Sequence, residues 1–161
     1  MTKVLFGTLL FLLGGYAAQH AGGAATAKKP DDRAMRLGNF SVSLTVKDIA
    51  KSREFYERLG FRVWGEASKR MVILQNDTAT IGLFEGAFPK NTLTFNPGWD
   101  RAGKPLASFE DVREIQKTLV SRGLELATKA DESSTGPASL IVVDPDGNPI
   151  LIDQHVPAPK K

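Results

Sequence analysis

Residues 40–61 read FSVSLTVKDIAKSREFYERLGF. The first seven alternate apolar and polar side chains, the period of a half-buried strand. Asp48 then stands where a helix N-cap belongs, and Gly60 stands where a helix ends. Between them Ile49, Ser52, Phe55, Tyr56 and Leu59 fall on one helical face. Three short strands are expected to follow, in FRVWGE (61–66), RMVILQN (70–76) and TATIGLFEG (78–86).

The same order recurs downstream. TLTFNP (92–97) reads as a strand and DVREIQKTLVSRG (111–123) as a helix with Val112, Ile115, Leu119 and Val120 on one face. LELATKAD, ASLIVVD and NPILIDQH read as three further strands. Asp48 and Asp111 lie 63 residues apart, and so do Gly60 and Gly123. Equal spacing at both helix ends points to two copies of a strand–helix–three-strand unit, at 39–88 and 91–156. The copies differ at the second strand–helix junction, where residues 97–108 form a loop carrying Trp99. That loop reads as a lid or rim, or as an ordinary insertion with its tryptophan tucked in.

Composition narrows the class. Of 161 residues, 42% are hydrophobic and 24% charged, so a packed core is feasible. The net charge is +3 and the basic residues are scattered, which argues against nucleic acid as a partner. Cysteine is absent, so disulfides, thiolate nucleophiles and zinc–thiolate sites are excluded together. Residues 1–27 have the layout of a secretory signal: Lys3, an apolar run from Val4 to Leu13, then small residues ending in Ala25-Thr26-Ala27. Cleavage after Ala27 would make the protein secreted or periplasmic, with no other membrane attachment expected. Residues 28–38 read as a polar linker, and 39–157 as the folded domain.

LTVKDIAKSREFYERLGF together with DPDGNPILI (144–152) resembles the vicinal oxygen chelate superfamily, the group of glyoxalase I, bleomycin-resistance proteins and extradiol dioxygenases. The resemblance implies an α+β fold of two βαβββ modules curled into an open mixed barrel around a cavity, often assembled as a homodimer. Enzymes of that group commonly hold a divalent metal from four strands. Those positions fall on Ser41, Gly82, Thr92 and Leu151 here, none of them a good ligand. Once residues 1–27 are removed, His155 is the one histidine left. Neither a metal nor another cofactor is therefore expected.

Strand parity supplies candidate cavity residues, because positions i and i+2 share a face. Ser41, Ser43 and Thr45 should face the concavity, with Phe40, Val42, Leu44 and Val46 packing under helices. Thr92, Thr94 and Asn96 follow in the second module, while Leu93 and Phe95 pack. Thr80, Gly82 and Phe84 share a face, as do Leu151, Asp153 and His155. Ser41, Ser43, Phe84, Thr92, Thr94, Asn96 and Trp99 are the expected ligand-binding residues, with Asp153 and His155 as the catalytic candidates. The last two lie about 7 Å apart along an extended strand, so they could act as base and orienter only where the strand end bends. The strand hydroxyls read equally as idle solvated groups, Phe84 as core, and His155 as an exposed terminal residue. Glu85 has the wrong parity for the cavity and reads as a surface charge. ESSTGPAS (132–139) reads as a Gly-Pro turn, or as backbone amides offered to an anion.

Three functions fit these residues. One is an exported module binding a small polar or aromatic molecule. The second is a glyoxalase-like lyase or isomerase with an altered site. The third is a structural domain.

Overall fold

The computed structural model describes residues 33–160. The expected signal segment, 1–27, and the start of the linker lie outside the described residues. In chain order the elements are β1 (Asn39–Val46), α1 (Ile49–Arg58), β2 (Arg62–Trp64), β3 (Met71–Asn76), β4 (Ala79–Glu85), β5 (Thr92–Asn96), α2 (Val112–Ser121), β6 (Leu126–Thr128), β7 (Ala138–Val143) and β8 (Pro149–Gln154). This is the βαβββ unit twice over. One open, mixed sheet of eight strands results, in the order β2-β3-β4-β1-β5-β8-β7-β6. Within each half the first and last strands run parallel, β1 with β4 and β5 with β8. The halves join where β1 and β5 pair antiparallel, with Ser41 opposite Thr94.

Each half closes its own core. Val72, Leu74, Leu83 and Phe61 are buried on the first sheet half, with Ile49 and Tyr56 of α1 packed against them. Val112, Ile115 and Leu119 of α2 meet Leu140, Val142 and Ile152 in the second. The two helices differ in how deeply they sit. In α2 the expected face is largely buried, but Val120 is turned outward, and Arg113 and Gln116 are buried instead. No residue of α1 is buried, and Phe55 and Leu59 are 61% and 60% exposed. The face expected to pack is thus only half used, its apolar contact with the core made by Ile49 and Tyr56. Phe40 is another departure: it lies at the β1–β5 seam, largely exposed, against the Phe95 ring 5.1 Å away.

The caps follow the sequence reading. The Asp48 side chain accepts from Lys51 N at 3.0 Å, and the Asp111 side chain from Arg113 N at 2.9 Å. Glu85 corrects an expectation, because its carboxylate accepts from Ile49 N at 3.1 Å and so caps α1 as well. An anion favours that position, where the first helical N–H groups lack partners. The 132–139 segment is also committed internally: Arg113 donates to Ser134 Oγ and the Gly136 carbonyl at 2.7 and 2.9 Å. Residues ahead of β1 lie along the second half, where Met35 and Leu37 pack on its core. Glu110 fastens them by accepting from Arg33 Nη2 and Arg36 N, both at 3.0 Å. Among the described residues no helix is long and apolar enough to cross a membrane.

Candidate functional site

The concave face encloses a cavity of about 410 Å³. Its floor is set by strand register. Ser43 lies beside Gly82 and Thr94 beside Leu151. Ser43 Oγ and Thr94 Oγ1 meet diagonally at 2.9 Å, both buried. Two hydroxyls sharing one hydrogen bond leave one O–H unspent, and neither oxygen has a second partner among the described residues. The floor therefore offers one donor to whatever fills the cavity.

A four-strand metal centre does not fit this floor. A Cβ added to Gly82 would come within 2.4 Å of the Phe84 ring, which lies across the space an acidic side chain would need. Leu151 supplies no donor atom. Among the described residues no three His, Asp or Glu side chains gather in a metal-ligating group.

The rim is built by the end of β8. Asp144 shapes the preceding turn, its carboxylate accepting from Asp146 N and Asn148 N at 3.0 and 2.7 Å. Strand alternation then sends Leu151 and Asp153 to the cavity while Ile152 and Gln154 enter the core. Gln154 is fully buried. Its Oε1 accepts from Val112 N at 2.8 Å, and its Nε2 donates to Asp111 Oδ2 and the Val156 carbonyl, both at 3.0 Å. Asn96 Nδ2 donates to the Asp153 carbonyl at 3.1 Å. These bonds stop the strand at Gln154, and the chain bends.

The bend changes the geometry of the candidate pair. In place of the 7 Å expected along an extended strand, His155 Nε2 lies 3.2 Å from Asp153 Oδ2. The imidazole lies flat on Trp99, with ring centroids 4.2 Å apart and planes 15° apart. Burial pushes the Asp153 carboxyl above the ordinary carboxylate range, and the His155 charge pulls the other way. No described N–H or O–H donates a hydrogen bond to that carboxylate beyond the His155 contact. The carboxylate is thus partly desolvated with the imidazole alone against it, and its remaining exposure opens onto the cavity.

Trp99 belongs to a loop that is folded on itself. Asp100 Oδ1 accepts from Ala102 N and Lys104 N at 2.8 Å, and Leu106 N reaches the Gly98 carbonyl at 2.8 Å. Gln75 Nε2 holds the loop to β3 through the Arg101 carbonyl at 3.0 Å. A side chain at Gly103 would strike the Trp64 indole, at 2.5 Å, so the loop rests on that ring. Trp99 is therefore a wall of the rim rather than part of a detached lid.

Of the expected residues, Ser41, Ser43, Phe84, Thr94, Asn96, Trp99, Asp153 and His155 all line this one cavity. Thr92 does not; it sits at the buried start of β5 and donates to the Lys90 carbonyl at 3.2 Å. Thr45 also lies outside, in an exposed groove beside Asn91. Missed entirely were Trp64, Gln75, Phe88, Arg101 and Glu66. Gln75 lies opposite Thr80 across the β3–β4 pair, a register that is invisible without the fold.

A fold of paired βαβββ modules around an open cavity defines a class of protein, and comparison with known sequences is consistent with it. The sequence model of the Glyoxalase/Bleomycin resistance protein/Dioxygenase superfamily matches residues 39–152, and the chain belongs to that family. Among solved structures it is similar to one described as an NAD-dependent benzaldehyde dehydrogenase from Legionella pneumophila, at 21% identity and TM-score 0.54, covering 72% of this chain and 98% of that one. A superfamily member from Vibrio splendidus 12B01 gives 18% identity and TM-score 0.50, covering 71% and 97%. A catechol 2,3-dioxygenase gives 17% and 0.51, with 78% of this chain matched to 42% of that larger one. At these identities the likeness is one of fold. No curated protein matches the sequence.

Proposed function

We propose that this protein is an exported binding module that holds a small molecule with a flat apolar body in the 410 Å³ cavity, without the divalent metal that the family resemblance implies. The observation that carries the reading is the Asp153 carboxylate, half-buried and with no donor among the described residues besides the His155 imidazole, in the same cavity as Trp64, Phe84, Phe88 and Trp99. An apolar enclosure with a few convergent polar groups is the common form of a small-molecule site. Support for export is the Lys3, Val4–Leu13 and Ala25-Thr26-Ala27 pattern.

Both tryptophans of the chain line the cavity, so intrinsic fluorescence reports on it directly. The test is a thermal-shift screen of small aromatic compounds followed by fluorescence titration. A true ligand gives a saturable change in the native protein that is lost in Ser41→Phe, which fills the cavity. Identical stabilisation of both proteins, or no fluorescence response to any compound, contradicts the proposal.

The 3.2 Å approach of His155 Nε2 to Asp153 Oδ2 favours one other reading, a metal-free lyase or isomerase in which this pair moves a proton. Exchange of α-hydrogens of small aryl ketones in D₂O, followed by NMR, tests it. A rate no faster than buffer removes it.

A further inference from the structure

We infer that the cavity takes a small organic cation, a protonated amine on an aromatic-sized body, with its N–H groups on the Asp153 carboxylate and its body against the aromatic walls. The inference rests on the binding reading above and names its ligand class.

The first argument is hydrogen-bond accounting. Asp153 Oδ2 has the His155 imidazole at 3.2 Å, and Oδ1 has no partner among the described residues. A carboxylate can only accept, and it binds charged donors more strongly than neutral ones. An ammonium group supplies two or three such donors at once.

Charge is the second. The lining holds two carboxylates, Asp153 and Glu66, against one guanidinium, Arg101. Glu66 and Arg101 are both exposed at the mouth, where solvent and salt screen them. Asp153 is half-buried, so its charge acts at closer to full strength inside the cavity. Arg113, the buried cation of the domain, is spent on Asp111, Ser134 and the Asp131 and Gly136 carbonyls, and does not line the cavity. An anion entering would meet Asp153 with no buried cation to receive it.

The walls are the third. Four aromatic side chains surround one small space: Trp64, Trp99, Phe84 and Phe88, the last two with ring centroids 5.0 Å apart. Aromatic faces are electron-rich, and cations gain from them most when desolvated, with indole the strongest partner. His155 covers one face of Trp99 and lies against Oδ2 of Asp153, leaving Oδ1 to receive an amine. Acidification opposes binding by neutralising Asp153, whose carboxyl burial holds above its ordinary range. Arg101 on the 97–108 loop and Glu66 after β2 are the other charged groups facing the pair.

The test uses three probes that share a ring, 2-phenylethylamine, 2-phenylethanol and phenylacetate, titrated into the full domain by calorimetry and tryptophan fluorescence. The amine should bind about tenfold or more tightly than the alcohol, and phenylacetate most weakly. Asp153→Asn should bring the amine down towards the alcohol's affinity and cost the alcohol far less, with an unchanged circular dichroism spectrum showing that the fold is intact. Amine affinity should fall on acidification, as the Asp153 carboxyl takes up its proton, while that of the alcohol stays flat. If amine and alcohol bind the cavity equally, or phenylacetate binds best, the cation assignment is overturned and the binding module stands. If none of the three perturbs the tryptophans at millimolar concentration, the cation assignment falls as well, and the wider screen alone judges the binding reading.

Discussion

Gln154→Leu tests whether the core side of β8 supports the site. Leucine has nearly the volume of glutamine, so packing is kept and the three polar contacts are lost. Their consequences differ. Asp111 Oδ2 keeps Arg113 Nη1 at 3.4 Å, and the Val156 carbonyl lies half-buried where water can reach it. Val112 N–H has no such recourse, because it is a first-turn donor of α2 in a fully buried residue. Losing a buried hydrogen bond costs about 1 kcal/mol and stranding a buried donor about 1–3 kcal/mol. The expected net loss is about 3 kcal/mol, a large share of a typical domain stability of roughly 5–15 kcal/mol. For a domain of this size that lowers Tm by about 10 °C. Urea unfolding followed by circular dichroism measures it, with an unchanged m-value required. Gln154→Glu should be no better at neutral pH, since it sets a second carboxylate against Asp111, and should recover on mild acidification. A loss below about 1 kcal/mol in Gln154→Leu would refute the view that this amide ties the strand end to α2.

Gly82→Ala should push the Phe84 ring out of its place and into the cavity, costing about 1–3 kcal/mol and weakening any cavity ligand; Gly136→Ala, with open space around it, is the matched control. Asp153→Asn should raise stability at neutral pH. Burial holds the folded-state carboxyl above its ordinary range, so ionisation is disfavoured by folding, and the native residue's handicap appears as pH rises through that raised value. The gap between variant and native protein, read from denaturant midpoints, should close towards acid; a gap that widens there reverses the assignment. Titration with zinc, nickel, manganese and iron(II) should show no tightly held equivalent, with one equivalent per chain by metal analysis as the contrary result. N-terminal sequencing of exported protein should begin at Lys28, and a product starting at Met1 or Thr2 would count against export.

The parts of the fold that were legible are those written in local chemistry. Asp48, Asp111, Gly60 and Gly123 mark helix ends because caps depend on a few adjacent atoms. Parity within β1, β5 and β8 likewise placed Ser41, Ser43, Thr94, Asn96 and Asp153 on the concave face. What stayed hidden depends on pairing between distant strands or on chain bends. Trp64 and Gln75 reach the cavity through the β2–β3–β4 registers, which nothing local specifies. Glu85 looked idle because its partner, Ile49 N, lies 36 residues away. Gln154 had apolar neighbours on its face and no sign of its role, since the helix end it serves is 42 residues back. The His155 contact required the strand to stop one residue earlier than the apolar–polar alternation suggests.

The seam between the halves has a thermodynamic consequence. The two hydrophobic clusters share no buried residue, and the sheet passes from one to the other only through β1 and β5. Such an arrangement allows two foldons, each able to open without wholly dissolving the other. The cavity spans that boundary: Trp64, Phe84 and Phe88 come from one half, Trp99, Asp153 and His155 from the other. A ligand that needs both walls binds only when both halves are closed, so its binding free energy adds directly to the coupling between them. Occupancy would make unfolding more cooperative as well as raising its midpoint, and hydrogen exchange in the weaker half would slow towards the rate of the stronger.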